Sequence, residues 1–200
     1  MEITWHGNTC FSIKEKREVL ILNPNDKVAK EKANVVLTSL GEKTGKVAEA
    51  GHTFDWPGEY EVSGIPIIGY EAWTKSRSKE EEEKAKGDPT IIFYFDIGGV
   101  RFCHLGELGH VLTSDTVKEM GDVDILMING GKNSNLETKK AVEVLEAIDP
   151  KMVIPMGTGN LEEFLKEIGA ETVEANDKLE IKSPSELPTD KRAYVLLKAV

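Results

Sequence analysis

The sequence predicts an α/β protein of the αββα kind, two β-sheets packed face to face with helices outside, and three observations carry that expectation. The first half is a succession of short β-type runs. The second half alternates helix-type with strand-type segments, and its longest helix-type segment carries apolar residues along one stripe only. At 200 residues, 40% hydrophobic and 30% charged, the chain can close one sizeable core. One domain over 1–200 is therefore expected, with a strand-rich half at about 1–110 and an α/β half at about 111–200.

Taken in order, EITWH, TCFSIK, EVLILN and ANVVLTSL are rich in β-branched, aromatic and leucine residues and are separated by Gly, Asn, Pro and charged turns, so each reads as a strand. Between the last two, DKVAKEKA at 26–33 reads as a short helix. HTFDW continues the strand pattern, and EYEVSGIPIIGYEAW reads as a pair of strands around Gly64 and Pro66. The segment KSRSKEEEEKAKGDP at 75–89 has almost nothing to bury and reads as a mobile loop. TIIFYFDIGGVRFCHLG is expected to be a hairpin turning at Gly98-Gly99, its first strand apolar on both faces and so covered on both.

From residue 113 the texture changes to TSDTVKEMG, DVDILMI, SNLETKKAVEVLEAID, KMVIPMG, NLEEFLKEIGA and ETVEANDKLEIK. In the longest helix-type segment Leu136, Ala141, Val142, Leu145 and Ile148 form a stripe at helical spacing, which should lie on a sheet. Ser134 and Glu137 have the spacing of a capping box.

Composition narrows the function classes. A net charge of −10 disfavours phosphate backbones and anionic lipid as partners, because both select for Lys and Arg. The N-terminus lacks a basic segment followed by an apolar one, and no apolar run approaches the roughly 20 residues of a membrane helix, so a cytoplasmic protein is expected. Cys10 and Cys103 sit in apolar runs without a CxxC pair and read as buried, reduced thiols. No GxGxxG, GxxxxGK[ST] or GxSxG string occurs, which removes the common nucleotide and serine-hydrolase readings. The glycine turns GTGN and NGGKNSN precede helices, as connections of this kind routinely do.

Histidine and carboxylate are what remains. FCHLGELGH at 102–110 sets His104 and His110 on either side of Glu107; these are metal-donor types, but too few to make a hydrolytic centre. His6 and His52 have no donor at HxH or HxxxH spacing and read as core or edge histidines. Glu59 and Glu61 alternate along one strand and read as solvated edge residues.

WHGNTCFSI, VVLTSLGEKTG, WPGEYEVSGI, RFCHLGELGH, GDVDILMI and KMVIPMG follow one another in an order that resembles small metallo-β-lactamase-fold hydrolases of the UlaG-like kind. The resemblance implies a four-layer αββα sandwich of two mixed sheets, with loops at one edge holding one or two zinc or manganese ions that activate a water. Such a centre needs about six or seven converging imidazole and carboxylate donors. The family's HxHxDH motif falls here on LGEKTG, so its ligand positions are Leu40, Glu42, Thr44 and Gly45. The next histidine should stand at about Thr74, the bridging aspartate is Glu107, and the last histidine is Gly157. Only Glu42 and Glu107 keep a carboxylate, and no position keeps an imidazole. Supporting positions have moved too, to Asn8 and Asn23. In the resembling proteins the two histidines of HLGELGH frame the ligand between them, so His104 and His110 are expected to be structural.

The expectation is therefore a metallo-β-lactamase-fold protein with a degenerate metal site and no cofactor, a non-catalytic binding or assembly protein. Its expected partner is a small molecule or a related protein subunit, not nucleic acid or membrane, and a homo-oligomer is compatible with this. The competing expectation is a Zn or Mn hydrolase with one weakly held ion on Glu42, Glu107 and His110 or His52.

Overall fold

The computed structural model describes residues 1–41, 44–75 and 87–200. In chain order the strands are β1 (Glu2–Trp5), β2 (Phe11–Glu15), β3 (Glu18–Leu22), β4 (Lys32–Leu37), β5 (Glu49–Phe54), β6 (Gly58–Val62), β7 (Ile65–Trp73), β8 (Pro89–Ile97) and β9 (Val100–His104). Helix α1 (Ser114–Met120), β10 (Ile125–Asn129), α2 (Thr138–Ile148), β11 (Met152–Met156) and α3 (Glu162–Glu167) follow. The short strands β12 (Ala175–Asn176), β13 (Leu179–Glu180), β14 (Ala193–Tyr194) and β15 (Leu196–Leu197) end the chain.

Two mixed sheets result, as expected. One has the order β13-β1-β2-β3-β4-β5 and the other β14-β11-β10-β9-β8-β7-β6, while β12 and β15 pair separately. The alternation of each strand decides which residues meet. Phe11 and Ile13 of β2 and Leu20 and Leu22 of β3 face Phe93, Phe95, Phe102 and Ile125 of the other sheet in the central core. Ile91, Phe93, Phe95 and Ile97 of β8 enter that core, whereas Ile92 turns to the helices. This is why β8 reads as apolar on both faces. Gly98 and Gly99, at φ +65° and +78°, make its turn to β9, a backbone that residues with a Cβ rarely adopt.

Helices α1, α2 and α3 all lie against the second sheet. Ala141, Val144, Leu145 and Ile148 of α2 and Phe164 of α3 form a core with Leu126, Ile128 and Val153. Among the described residues, Cys10, Ile21, Val28, Ala33 and Val36 form a small buried cluster on the outer face of the first sheet. Val28 reaches it from a single 3-10 turn, Asp26–Val28, where a helix over 26–33 was expected. Sheet pairing overrides that helix, because Lys32 and Ala33 are taken into β4 opposite Glu49 and Ala50 of β5. The expected capping box is also absent. Glu137 is the residue before α2, and the Ser134 hydroxyl serves the loop instead, donating to Asn129 O at 3.0 Å and accepting from Leu136 N at 3.1 Å. Most of the 75–89 segment, residues 76–86, lies outside the described residues, and Pro89 already belongs to β8.

The turns after β1, β3, β4 and β9 emerge at one edge of the sandwich, where Asn8, Asn23, Leu40 and Glu107 meet around one pocket.

Candidate functional site

Asn23 organises this edge. Its backbone is left-handed at φ +44°, which Asn tolerates better than most residues with a side chain. Its Nδ2 donates to Thr9 Oγ1 at 3.1 Å, and its Oδ1 accepts from Ser39 N at 2.6 Å. One amide thus ties together the turns after β1, β3 and β4. Asn25 extends the frame by donating from Nδ2 to His6 O at 3.0 Å and accepting from Lys27 N at 3.0 Å. Gly45 N donates to Pro24 O at 2.9 Å, so close that a Cβ at position 45 would stand 2.6 Å from the same oxygen.

Between these turns lies a polar pocket of about 270 Å³, lined among others by Asn8, Thr9, Asn23, Leu40, Thr44 and Glu107. The fold therefore brings Glu107 to Leu40, Thr44 and Gly45, more than sixty positions earlier in the chain. Glu42 lies outside the described residues. Thr74 does not line this pocket; its backbone N donates to Asp88 O at 2.9 Å. Gly157 stands beside it, donating from its backbone N to Asn8 O at 3.1 Å. At φ +118°, a Cβ there would come within 2.1 Å of Asn129 Oδ1.

Glu107 is half-buried. Burial pushes its carboxyl pKa up, against hydrogen bonds from Thr9 and Asn8 that pull it down. Asn135 Nδ2 donates to Glu107 Oε2 at 3.1 Å.

The two histidines that flank Glu107 are bonded through both ring nitrogens. His104 is fully buried; Nε2–H donates to Thr9 O at 3.0 Å and Nδ1 accepts from Gly106 N at 3.2 Å, which fixes one neutral tautomer. Burial pushes its pKa down to about 4, although the bond to Thr9 works the other way. His110 accepts at Nε2 from Trp73 N at 3.2 Å and donates from Nδ1 to Val111 O at 2.9 Å. His6 Nε2 bonds Ser12 Oγ at 2.9 Å. His52 is exposed on β5, stacked on Phe54 with ring centres 6.4 Å apart, and Glu59 and Glu61 are exposed on β6. Both thiols are buried, and burial raises the Cys10 pKa to about 11.

Thr9, Asn25 and Asn135 are pocket or pocket-supporting residues that the sequence reading missed. Each acts through a side-chain amide or hydroxyl whose partner only the fold supplies, Asn23 for Thr9, His6 O for Asn25 and Glu107 for Asn135, and no spacing in the sequence marks them.

A zinc or manganese centre requires several converging donors. Among the described residues, no three His, Cys, Asp or Glu side chains come together in that way. The pocket's acids are Glu107 and the exposed Asp26, and the Asn23 amide oxygen already accepts from Ser39. The described residues do not fit such a centre.

Two mixed sheets face to face, helices against them, and a pocket where loops converge at one edge define the metallo-β-lactamase fold class. Residues 2–157 match the Beta-lactamase superfamily domain, and the chain belongs to that superfamily. It is 27% identical over 200 residues to a UPF0173 protein of Pyrococcus abyssi, an alignment covering 84% of this chain and 90% of the relative. It is 26% identical to a UPF0173 metal-dependent hydrolase of Thermoplasma acidophilum, covering 78% and 82%. Among solved structures, a Thermotoga maritima protein of the metallo-beta-lactamase superfamily, assigned by name as a Zn-dependent hydrolase, superposes with a TM-score of 0.78 at 28% identity over 98% of both chains. The names of these relatives set a metal against the expectation of no cofactor. Among the described residues no helix is long and apolar enough to cross a membrane.

Proposed function

We propose that this protein is a member of the superfamily whose metal centre is degenerate, and that it binds a small molecule or a related subunit without hydrolysing it. One observation carries the reading. The pocket that the family's ligand motif would line holds Leu40, Thr44 and Gly45 around Glu107, while both nearby histidines spend both ring nitrogens on backbone groups. A metal held by one half-buried carboxylate and neutral oxygens would exchange freely with solvent. Elemental analysis of protein purified without chelator tests this, with well under one zinc or manganese per chain as the expected result. A stoichiometric, tightly held metal would overturn it.

The names of the relatives favour a second reading, a hydrolase with one Zn or Mn on Glu107 and Glu42, helped by His110 or His52. It requires His110 to give up Trp73 N or Val111 O, or His52 to leave its stack on Phe54. Metal content that is stoichiometric in the native chain and lost in Glu107→Ala would support it.

A further inference from the structure

Beside the polar pocket, with Leu40 as the shared wall, lies a second cavity of about 330 Å³ at the mouth of the sandwich. Leu40, Trp56, Pro57, Trp73, Pro89 and Ile91 give it an apolar lining. Trp56 stands 75% exposed, although its backbone is pinned by Tyr60 Oη, which donates to Trp56 O at 2.8 Å. An exposed indole that continues the apolar lining of a cavity offers a flat aromatic face to a ligand.

The charge of the cavity is one-sided. Asp55 and Glu71 line it, both exposed, neither with an ion-pair partner among the described residues, and no Lys, Arg or His of those residues lines it. Ser39, 1% exposed, also lines it, and its hydroxyl has no hydrogen-bond partner among the described residues. A buried hydroxyl without a partner is rare in native proteins and leaves hydrogen-bonding capacity at that wall.

We propose that this cavity binds a small organic ammonium ion with an aromatic or apolar body. The body packs between the two tryptophans, and the ammonium is held by the carboxylates of Asp55 and Glu71 and by the indole faces. Charge complementarity selects this ligand, since an anion would meet two carboxylates and a neutral molecule would bring neither of them a counter-charge. The assignment names the ligand for the binding role proposed above and rests on that reading. Its chemistry can nevertheless be measured separately from the metal.

Calorimetric titration of the full chain with 2-phenylethylamine, 2-phenylethanol and phenylacetate near neutral pH tests it. The amine is expected to bind saturably, the alcohol about tenfold more weakly, and the carboxylate not at all. Trp56→Ala should weaken the amine by about tenfold, and Glu71→Gln should remove most of its advantage over the alcohol. Both substitutions are at exposed positions. Equal binding of all three probes, no saturable binding of the amine, or variants that bind it as the native chain does would overturn the proposal. So would a Trp56→Ala chain that changes its oligomeric state by light scattering, because a second copy would then be the occupant. Elemental analysis of the same sample separates the two readings. Stoichiometric metal with amine binding overturns only the degenerate site, and metal-free protein without amine binding overturns only the ammonium site.

Discussion

At the scale of single residues, Gly157 and His104 show what this edge of the sandwich demands. Gly157 holds a positive φ beside Asn129, so Gly157→Ala should cost about 2–4 kcal/mol, read as a lower urea midpoint with an unchanged slope. A histidine restored there would meet the same obstruction, which makes position 157 resistant to rebuilding a metal ligand. His104 contributes to the acid dependence of stability. Its folded pKa of about 4 lies below the ordinary 6.5, so as pH falls between those values the unfolded chain takes up a proton that the folded chain refuses. The contribution of His104 is fully present above 6.5 and should fall by on the order of 3 kcal/mol by about pH 4. His6, also lowered by burial, adds in the same direction, and Glu107, raised by burial, opposes at the acid end. In His104→Gln the slope of urea stability against pH over this range should flatten, while stability at neutral pH drops because one amide cannot bridge Thr9 O and Gly106 N with the ring's geometry.

At the scale of elements, Asp124 locks three neighbouring strands of the second sheet. It stands just before β10, and its Oδ2 accepts from Arg101 N and Nε of β9, both at 2.9 Å. Its Oδ1 lies 2.8 Å from Lys151 Nζ, just before β11. Burial alone would raise this carboxyl, but the bonds from Arg101 and Lys151 hold it well below the usual carboxylate range. The stability it contributes is therefore present above the ordinary carboxylate pKa and is lost as pH falls below it. Asp124→Ala should cost about 2–3 kcal/mol, less than for a fully buried pair because Arg101 and Lys151 are partly exposed. Equal urea midpoints for the variant and the native chain would refute this. The elements were legible to different degrees for physical reasons. β8 and β9 announced themselves through apolar periodicity and two glycines, whereas DKVAKEKA had helical composition but yielded to the pairing of β4 with β5.

At the scale of the whole molecule, the central core joins residues from Ile3 to Leu197, so the two halves of the chain share one interior. In the polar pocket Asn23, Asn25 and Glu107 bond to neighbouring protein groups. On the proposed metal-free reading, thermal melts with and without EDTA should coincide, since a site that holds no metal gains no binding energy from one. A fall of more than about 5 °C on chelation, a few kcal/mol at this chain length, would revive the hydrolase reading.

The sequence by itself determined the two-sheet architecture and the superfamily. Strand periodicity, turn glycines and local strings such as WPGEYEVSGI and CHLGELGH are read along the chain and need no contacts. The tertiary structure alone decided that Leu40, Thr44, Gly45 and Glu107 share one pocket, and that Thr74 does not line it. It also placed Thr9, Asn25 and Asn135 as its supports, and put Trp56 and Trp73 in the lining of a neighbouring cavity. Those facts depend on register and on loops from both sheets arriving at one edge. The physical reason is that a side-chain amide or an exposed indole carries no periodic signal, and takes its role only from what the folded chain sets beside it.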